Sequence, residues 1–156
     1  GNLDRHDCRS LRTVLFAGEV FPVKHLRSIV ARWPQAAFFN LYGPTETNVC
    51  TFARIPATIP EDRVAPYPIG PACSHYEALV LDDVDGVEVR GSDEGLLYMT
   101  GPALFPGYWG RPTDDLFIHR HDKRRYNTGD VVSDSPDGYV YLGRRDRMVK
   151  RRGYRI

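Results

Sequence analysis

Residues 36–46 have the sequence AAFFNLYGPTE, an apolar run followed directly by a polar loop. The apolar part is typical of a buried parallel strand. Gly43-Pro44 ends that strand, because glycine permits unusual backbone angles and proline lacks a backbone donor. Ligands of open α/β sheets gather at such carboxyl ends of strands. The stretch therefore predicts a binding loop at the end of a strand.

The loop at residues 40–46 presents an amide, an aromatic ring, a hydroxyl and a carboxylate close together. Aromatic faces stack on purine bases. Magnesium in nucleotide sites is held by one or two carboxylates together with phosphate oxygens. The alternatives are core packing for Tyr42 and a helix-capping role for Glu46. The combination favours a site for an adenine nucleotide and its magnesium ion.

A strand and a helix precede this loop in the sequence. Residues 13–17, TVLFA, form a continuous apolar run that is typical of a buried strand. Pro22 suits the first turn of a helix, and apolar residues recur at helical spacing through residues 22–33. With a second strand at 36–41, the order predicts a βαβ unit with a right-handed crossover.

After about residue 60 the sequence changes to prolines and short apolar runs. Turn-forming dipeptides separate these runs, which lie at residues 76–81, 95–100, 126–132 and 139–142. Asp137-Gly138, between the last two runs, predicts a β-hairpin. The fold class predicted is therefore α/β followed by a β-rich part, the latter a small barrel or a strongly bent sheet.

Composition excludes several classes of protein. The chain has 156 residues, 42% hydrophobic and 26% charged, with a net charge of +1, which is ordinary for a globular protein. No run approaches the ~20 apolar residues of a membrane-spanning helix, and no signal-peptide pattern is present. Three widely spaced cysteines fit neither a disulfide framework nor a zinc site. They favour a reducing, cytoplasmic location.

Positive charge is concentrated near the end of the chain. Arginine and lysine dominate residues 144–155, opposed only by Asp146, and Gly143 and Gly153 bracket the segment. Such a segment can contact nucleic acid or lipid, or can be a solvated or interdomain face, a hinge or a phosphate site. The pattern alone leaves these alternatives open.

Two further segments are candidate sites. In residues 126–130, YNTGD, Gly129 allows a bend that would aim Asp130 outward, where a carboxylate can accept both hydroxyls of a ribose. Residues 119–122, HRHD, suggest a metal cluster, but the included arginine and the loop-like flanks favour a solvated loop. The chain contains no Walker A motif and no G-x-G-x-x-G motif.

Together these segments resemble the adenylate-forming superfamily, which includes adenylation domains of nonribosomal peptide synthetases and acyl-CoA synthetases. Its core motifs match, in order and spacing, residues 40–46 (NLYGPTE), 95–109 (GLLYMTGPALFPGYW), 126–130 (YNTGD) and 143–156 (GRRDRMVKRRGYRI). Residues 16–20, FAGEV, together with NLYGPTE are most similar to stand-alone activators that load an amino acid on a carrier protein, the D-alanine–carrier protein ligases included.

The resemblance implies that the chain is the C-terminal part of the large N-terminal domain of an adenylation enzyme. Residues 1–62 would end an α/β subdomain, residues 63–142 would form a distorted β-barrel, and residues 143–156 would be a hinge leading to an absent C-terminal domain. The glycine-rich phosphate loop and the catalytic lysine of the family would lie outside the chain, which we therefore expect to be inactive alone. Leu96 stands where the family usually carries an acid, and implies a change in packing only.

The implied reaction is the activation of a carboxylate by ATP, with Mg²⁺, as an acyl-adenylate with release of pyrophosphate. The acyl group then passes to the phosphopantetheine thiol of an acyl or peptidyl carrier protein, forming a carbon–sulfur bond. The substrate favoured is a small or aliphatic amino acid. The alternatives are an acyl- or aryl-CoA ligase of the same superfamily and a non-catalytic nucleotide- or nucleic-acid-binding module. Neither a membrane nor nucleic acid is the expected partner.

The resemblance also implies roles for individual residues. In catalysis Thr45 would contact the α-phosphate and Glu46 would hold magnesium, while Asp146 and Lys150 would belong to the hinge. Tyr42 would stack on adenine and Asp130 would bind the ribose. The nucleotide-binding residues would be Gly18, Glu19, Asn40, Leu41, Tyr42, Gly43, Thr45, Asp130, Tyr141 and Arg144. The acyl pocket would be lined by Leu15, Ala17, Leu41, Val49 and Cys50.

Overall fold

The computed structural model describes residues 8–89, 91, 93–145, 150–151 and 154–155. The first elements are β1 (Thr13–Ala17), α1 (Val23–Arg32), β2 (Ala37–Tyr42) and β3 (Thr51–Ile55). They are followed by β4 (Glu77–Leu81), β5 (Glu94–Thr100), a 3-10 turn (Asp114–Leu116), β6 (Phe117–Arg120), β7 (Lys123–Ser133), β8 (Val140–Arg144), β9 (Lys150–Arg151) and β10 (Tyr154–Arg155).

The first three strands form one sheet in the order β1-β2-β3. Strands β1 and β2 are parallel and α1 connects them, which confirms the predicted strand–helix–strand unit. The helix buries Val23, Leu26 and Val30, which recur at helical spacing, against Phe38 and Ile55 of the sheet. The carboxyl ends of β1 and β2 therefore lie side by side.

Strand β3 is an element that the sequence patterns did not predict. It pairs antiparallel with β2, so that Thr51 lies opposite Tyr42. The binding loop is therefore a connection between two paired strands, and it is closed by a hydrogen bond of 2.9 Å from Cys50 N to Tyr42 O. A Cβ atom at Gly43 would lie 1.7 Å from Asn48 O, so the closed loop requires glycine there.

The remaining long strands form a second, antiparallel sheet in the order β4-β5-β7-β6, with β8 also paired to β7. Register shifts interrupt both the β5–β7 and the β7–β8 pairing. Such irregularities bend a sheet strongly. The predicted β-rich part is thus a bent half-barrel, and the hairpin predicted at Asp137-Gly138 joins β7 to β8.

The expectation of a solvated loop at residues 119–122 is wrong for half of that segment. His119 and Arg120 belong to strand β6, and only His121 and Asp122 form the turn to β7. Both turn residues have positive φ, 54° and 58°. Tight hairpin turns usually place Asn-Gly or Asp-Gly at such positions. The His-Asp pair therefore did not reveal the hairpin.

One buried cluster joins the two sheets. Tyr42 and Cys50 from the first sheet and its loop pack with Leu97, Met99 and Val132 from the second. Leu96 points to a different buried cluster on the second sheet. The subdomain boundaries near residues 62 and 142 stay predictions. Within the described ranges no helix is long and apolar enough to cross a membrane.

A substitution at Leu97 tests how much the cluster that joins the two sheets contributes to stability. Leu97 is 0% exposed, whereas Leu142 on β8 is 45% exposed. Leu97→Ala should lower the free energy of unfolding by about 3 kcal/mol, because the change removes buried apolar surface and leaves a cavity. The matched change Leu142→Ala should cost no more than about 0.5 kcal/mol. Urea denaturation followed by circular dichroism measures both, and equal losses would contradict this placement of Leu97.

Candidate functional site

A cavity of about 410 Å³ opens at the carboxyl ends of β1 and β2. Its walls come from the β1–α1 turn, the end of β2, the segment at residues 66–69 and one residue of β8. Most of the predicted nucleotide-binding residues line it, and these are Gly18, Glu19, Asn40, Leu41, Tyr42, Gly43 and Tyr141. A volume of this size is typical of a small-molecule site.

Three predicted nucleotide-binding residues do not line this cavity: Thr45, Asp130 and Arg144. Thr45 is exposed in the loop. Asp130 lies behind Tyr42 and accepts a hydrogen bond from it, and Arg144 in turn donates to Asp130. The structure therefore brings Asp130 and Arg144 to the wall of the cavity but not into it.

Asn40 fixes one side of the cavity. Its Nδ2 donates to Pro68 O at 2.9 Å, which connects the end of β2 to the segment at 66–69. Gly18 forms the opposite edge with φ of 93°, a conformation that glycine adopts without strain. One edge is thus set by a long-range side-chain hydrogen bond and the other by the backbone conformation of Gly18.

Asp130 is buried, so the expectation that its carboxylate points outward is wrong. Tyr42 Oη donates to Asp130 Oδ2, and Arg144 Nη1 donates to Asp130 Oδ1 at 3.0 Å. Arg144 Nη1 also donates to Thr128 O at 3.1 Å. These partners offset the cost of burying the charge. Asp130 faces the interior because the neutral phenol of Tyr42 and the cation of Arg144 bind its carboxylate there.

The same contact controls the protonation of Tyr42. Burial raises the pKa of Tyr42 well above 10.0, and the negative charge of Asp130 raises it further. The phenol therefore stays protonated and remains a donor to Asp130. Since that bond holds the hydroxyl end of the side chain, the ring is presented to the cavity in one orientation.

Glu46 has a partner that the sequence did not reveal. Its side chain is buried, and its Oε1 accepts a hydrogen bond from Tyr108 Oη. Phe105 N also donates to Glu46 O at 2.8 Å. Tyr108 lies within the segment matched at residues 95–109, but nothing in the spacing indicates that it would contact Glu46. The two residues are 62 positions apart.

Glu46 contributes a single carboxylate to this loop, and its role as a magnesium ligand stays a prediction. Among the residues that the structure describes, no group of three or more His, Cys, Asp or Glu side chains could hold a metal ion. The described residues therefore do not form a metal site from protein ligands alone. One carboxylate together with substrate phosphates is, however, how nucleotide sites commonly bind Mg²⁺.

Comparison with known proteins gives the family. Residues 1–109 match the AMP-binding enzyme family. The chain belongs to this family. It is 46% identical over 148 residues to the L-proline–[L-prolyl-carrier protein] ligase of Pseudomonas fluorescens, a match that covers 94% of this chain and 28% of that ligase. It is 35% identical over 161 residues to the D-alanine–D-alanyl carrier protein ligase of Lacticaseibacillus casei, covering 99% of this chain and 31% of that ligase.

A solved structure agrees with this assignment. The crystal structure of IdnL1 matches with a TM-score of 0.86 at 33% identity, over 93% of this chain and 31% of that one. The resemblance to adenylate-forming enzymes and the fold class are thereby confirmed. The AMP-binding chain spans less than a third of the length of the two ligases.

The predicted acyl-pocket residues are divided between a surface and the core. Leu15 and Ala17 are exposed on one face of β1, and the register places Ala17 beside Leu41 on the same sheet face. Val49 is half-buried, and Cys50 is fully buried in the cluster that joins the sheets. Their roles in an acyl pocket stay predictions.

The predicted hinge is only partly visible. Asp146 lies outside the described residues, and of Lys150 only the backbone is described, at the start of β9. Arg145, which directly precedes Asp146, is held on the second sheet, because its backbone N donates to Gly129 O at 3.0 Å. Its side chain forms an ion pair of 2.5 Å with Asp83.

Two neighbouring arginines of this AMP-binding chain provide a matched test of buried charge. In the Arg144–Asp130 pair the side chains are 8% and 0% exposed, and in the Arg145–Asp83 pair 56% and 42%. Asp130→Asn should lower the free energy of unfolding by about 3 kcal/mol, because the change removes the negative charge that pairs with buried Arg144. Asp83→Asn should cost about 0.5 kcal/mol, since water screens that pair. Urea unfolding at pH 7 measures both, and a small loss in Asp130→Asn would contradict the buried pair.

Cys50 predicts a loss of stability at alkaline pH. Burial raises the pKa of the Cys50 thiol from 9.0 to about 11. The folded state therefore keeps a proton that the unfolded state releases, so this stabilisation is complete below pH 9 and is lost as pH rises toward 11. The free energy of unfolding should fall across this interval, and fall less steeply in Cys50→Ala. Cys8→Ala, outside the core clusters, is the control, and it should leave the slope unchanged.

Proposed function

We propose that this chain supplies the adenosine-binding part of an ATP-dependent amino acid–carrier protein ligase. The observation that carries the proposal is the cavity at the ends of β1 and β2, which brings together residues from positions 16 to 141. Strand ends are where open α/β sheets bind ligands. The carrier protein ligases among the relatives support an acyl carrier as the acceptor rather than coenzyme A.

The ring of Tyr42 would stack on adenine, with Gly18, Glu19 and Asn40 at its edges. Leu41, Gly43 and Tyr141 would complete the wall. The ribose hydroxyls would donate to Asp130 alongside the hydrogen bonds from Tyr42 and Arg144, because an ionised carboxylate offers about four acceptor positions. Arg144 would keep its hydrogen bond to Asp130 Oδ1.

Glu46 would hold Mg²⁺ and exposed Thr45 would contact the α-phosphate. Bound there, the ion would neutralise charge on the phosphates. The protein groups mainly position the reactants and stabilise charge, both of which lower the barrier substantially. In the overall reaction a carboxylate oxygen bonds to the α-phosphorus as pyrophosphate leaves. The carrier thiol then bonds to the acyl carbon as AMP leaves.

L-Proline is the substrate that we propose. The relative that is 46% identical acts on L-proline. The predicted pocket residues, Leu15, Ala17, Leu41, Val49 and Cys50, are all apolar. A pocket of this kind suits the small, uncharged ring of proline. The reducing cytoplasm expected from the cysteines would be the compartment.

The full-length protein that carries this chain should catalyse pyrophosphate exchange into ATP that depends on L-proline. D-Proline, D-alanine and benzoate should each give at least about 10-fold lower kcat/KM, because one misplaced or missing group in an apolar pocket changes transition-state binding by about 1–3 kcal/mol. Radiolabelled pyrophosphate measures the exchange, and mass spectrometry identifies the acylated acceptor.

Two outcomes would contradict the proposal. One is exchange driven by benzoate with transfer of the acyl group to coenzyme A, which would assign an aryl-CoA ligase. The other is no exchange with any acid together with steeply salt-dependent binding of nucleic acid, which would assign a non-catalytic module.

A further inference from the structure

Tyr108 connects the second half of the chain to the loop that carries Glu46. Its Oη donates to Glu46 Oε1. Phe105 lies three residues before Tyr108, separated from it by one proline and one glycine. Its backbone N donates a hydrogen bond of 2.8 Å to Glu46 O. The segment at residues 105–108 therefore contacts both the backbone and the side chain of Glu46.

The segment that presents Tyr108 is itself anchored. The ring of Phe105 packs edge-on against Tyr108 at 5.0 Å between centroids. It also stacks on Phe117 at 5.4 Å and meets Tyr126 edge-on at 5.6 Å. Tyr108 is thus fixed by an aromatic cluster on strands β6 and β7, although part of its surface is exposed to solvent.

The backbone around Glu46 is fixed as well. Thr47 N donates to Pro44 O at 3.1 Å, and Tyr76 Oη donates to Thr47 O. With the backbone held, the freedom that remains to Glu46 is the rotation of its own side chain. Tyr108 restricts that rotation at Oε1.

We propose that Tyr108 is a positioning residue that holds the Glu46 carboxylate in the orientation in which it meets the metal of the bound nucleotide. This inference rests on the proposed role of Glu46 as the magnesium ligand. A phenol suits the task because it donates a hydrogen bond without adding positive charge. An arginine or lysine in its place would compete with the cation for the carboxylate. Hydrogen bonds to metal-binding carboxylates typically change metal affinity 10- to 100-fold.

The test compares Tyr108→Phe with Tyr98→Phe in the full-length protein. Phenylalanine keeps the ring that packs on Phe105 and removes only the hydroxyl. Tyr98 lies in a buried cluster of the second sheet with Leu79, Leu81 and Leu96, which makes it a matched phenol away from Glu46. Isothermal calorimetry measures ATP binding in EDTA and again across a Mg²⁺ titration.

In Tyr108→Phe we expect the affinity for metal-free ATP to be unchanged. The Mg²⁺ midpoint, which is the Mg²⁺ concentration that gives half of the maximal enhancement of ATP binding, should rise at least 10-fold. Tyr98→Phe should change neither quantity. An unchanged Mg²⁺ midpoint in Tyr108→Phe, or an equal loss of metal-free ATP binding, would overturn the inference. Glu46→Gln separates the two proposals: if it leaves the Mg²⁺ midpoint unchanged, Glu46 is not the ligand and the proposed site itself fails.

Discussion

The buried carboxylate of Asp130 is the constraint on which the arrangement of the two sheets depends. An isolated buried charge is very costly, so Asp130 is tolerated only where its partners meet it. Those partners come from different places, Tyr42 at the end of β2 and Arg144 at the end of β8. If either strand end moved away, the carboxylate would be left with less compensation. The contact therefore fixes the first sheet against the second, and it fixes the walls of the cavity between them.

A second contact runs in the opposite direction. In the first contact, Tyr42 of the first sheet donates to Asp130 of the second sheet. In the second contact, Tyr108 from the second half of the chain donates to Glu46 in the loop of the first sheet. Both donors are neutral, so neither cancels the charge of its carboxylate. The loop at residues 43–46 lies between the two contacts. The loop is therefore held at both ends, and the positive charge that Asp130 needs comes from Arg144 rather than from either phenol.

Local patterns predicted the elements whose signals are local, and failed where the decisive partner is distant. Strand β1, helix α1 and strand β2 followed from apolar runs and helical spacing, and the β7–β8 hairpin followed from Asp137-Gly138. Strand β3 was missed because its run of five residues is short and includes the charged Arg54. The contact of Asp130 with Tyr42 and that of Tyr108 with Glu46 join residues 88 and 62 positions apart. No spacing rule reaches across such separations.

The end of β2 also explains how an acyl group and a nucleotide would meet. Successive side chains of a strand point to opposite faces, so Leu41 lies on the face that Leu15 and Ala17 share, and Tyr42 lies on the other. Leu41 nevertheless lines the cavity with Tyr42, because the strand ends there. An acyl side chain on the first face and adenosine on the second would therefore converge at the same strand end. The loop that follows directly carries Thr45 and Glu46, the groups proposed for the phosphates, so the proposed chemistry would take place where β2 ends.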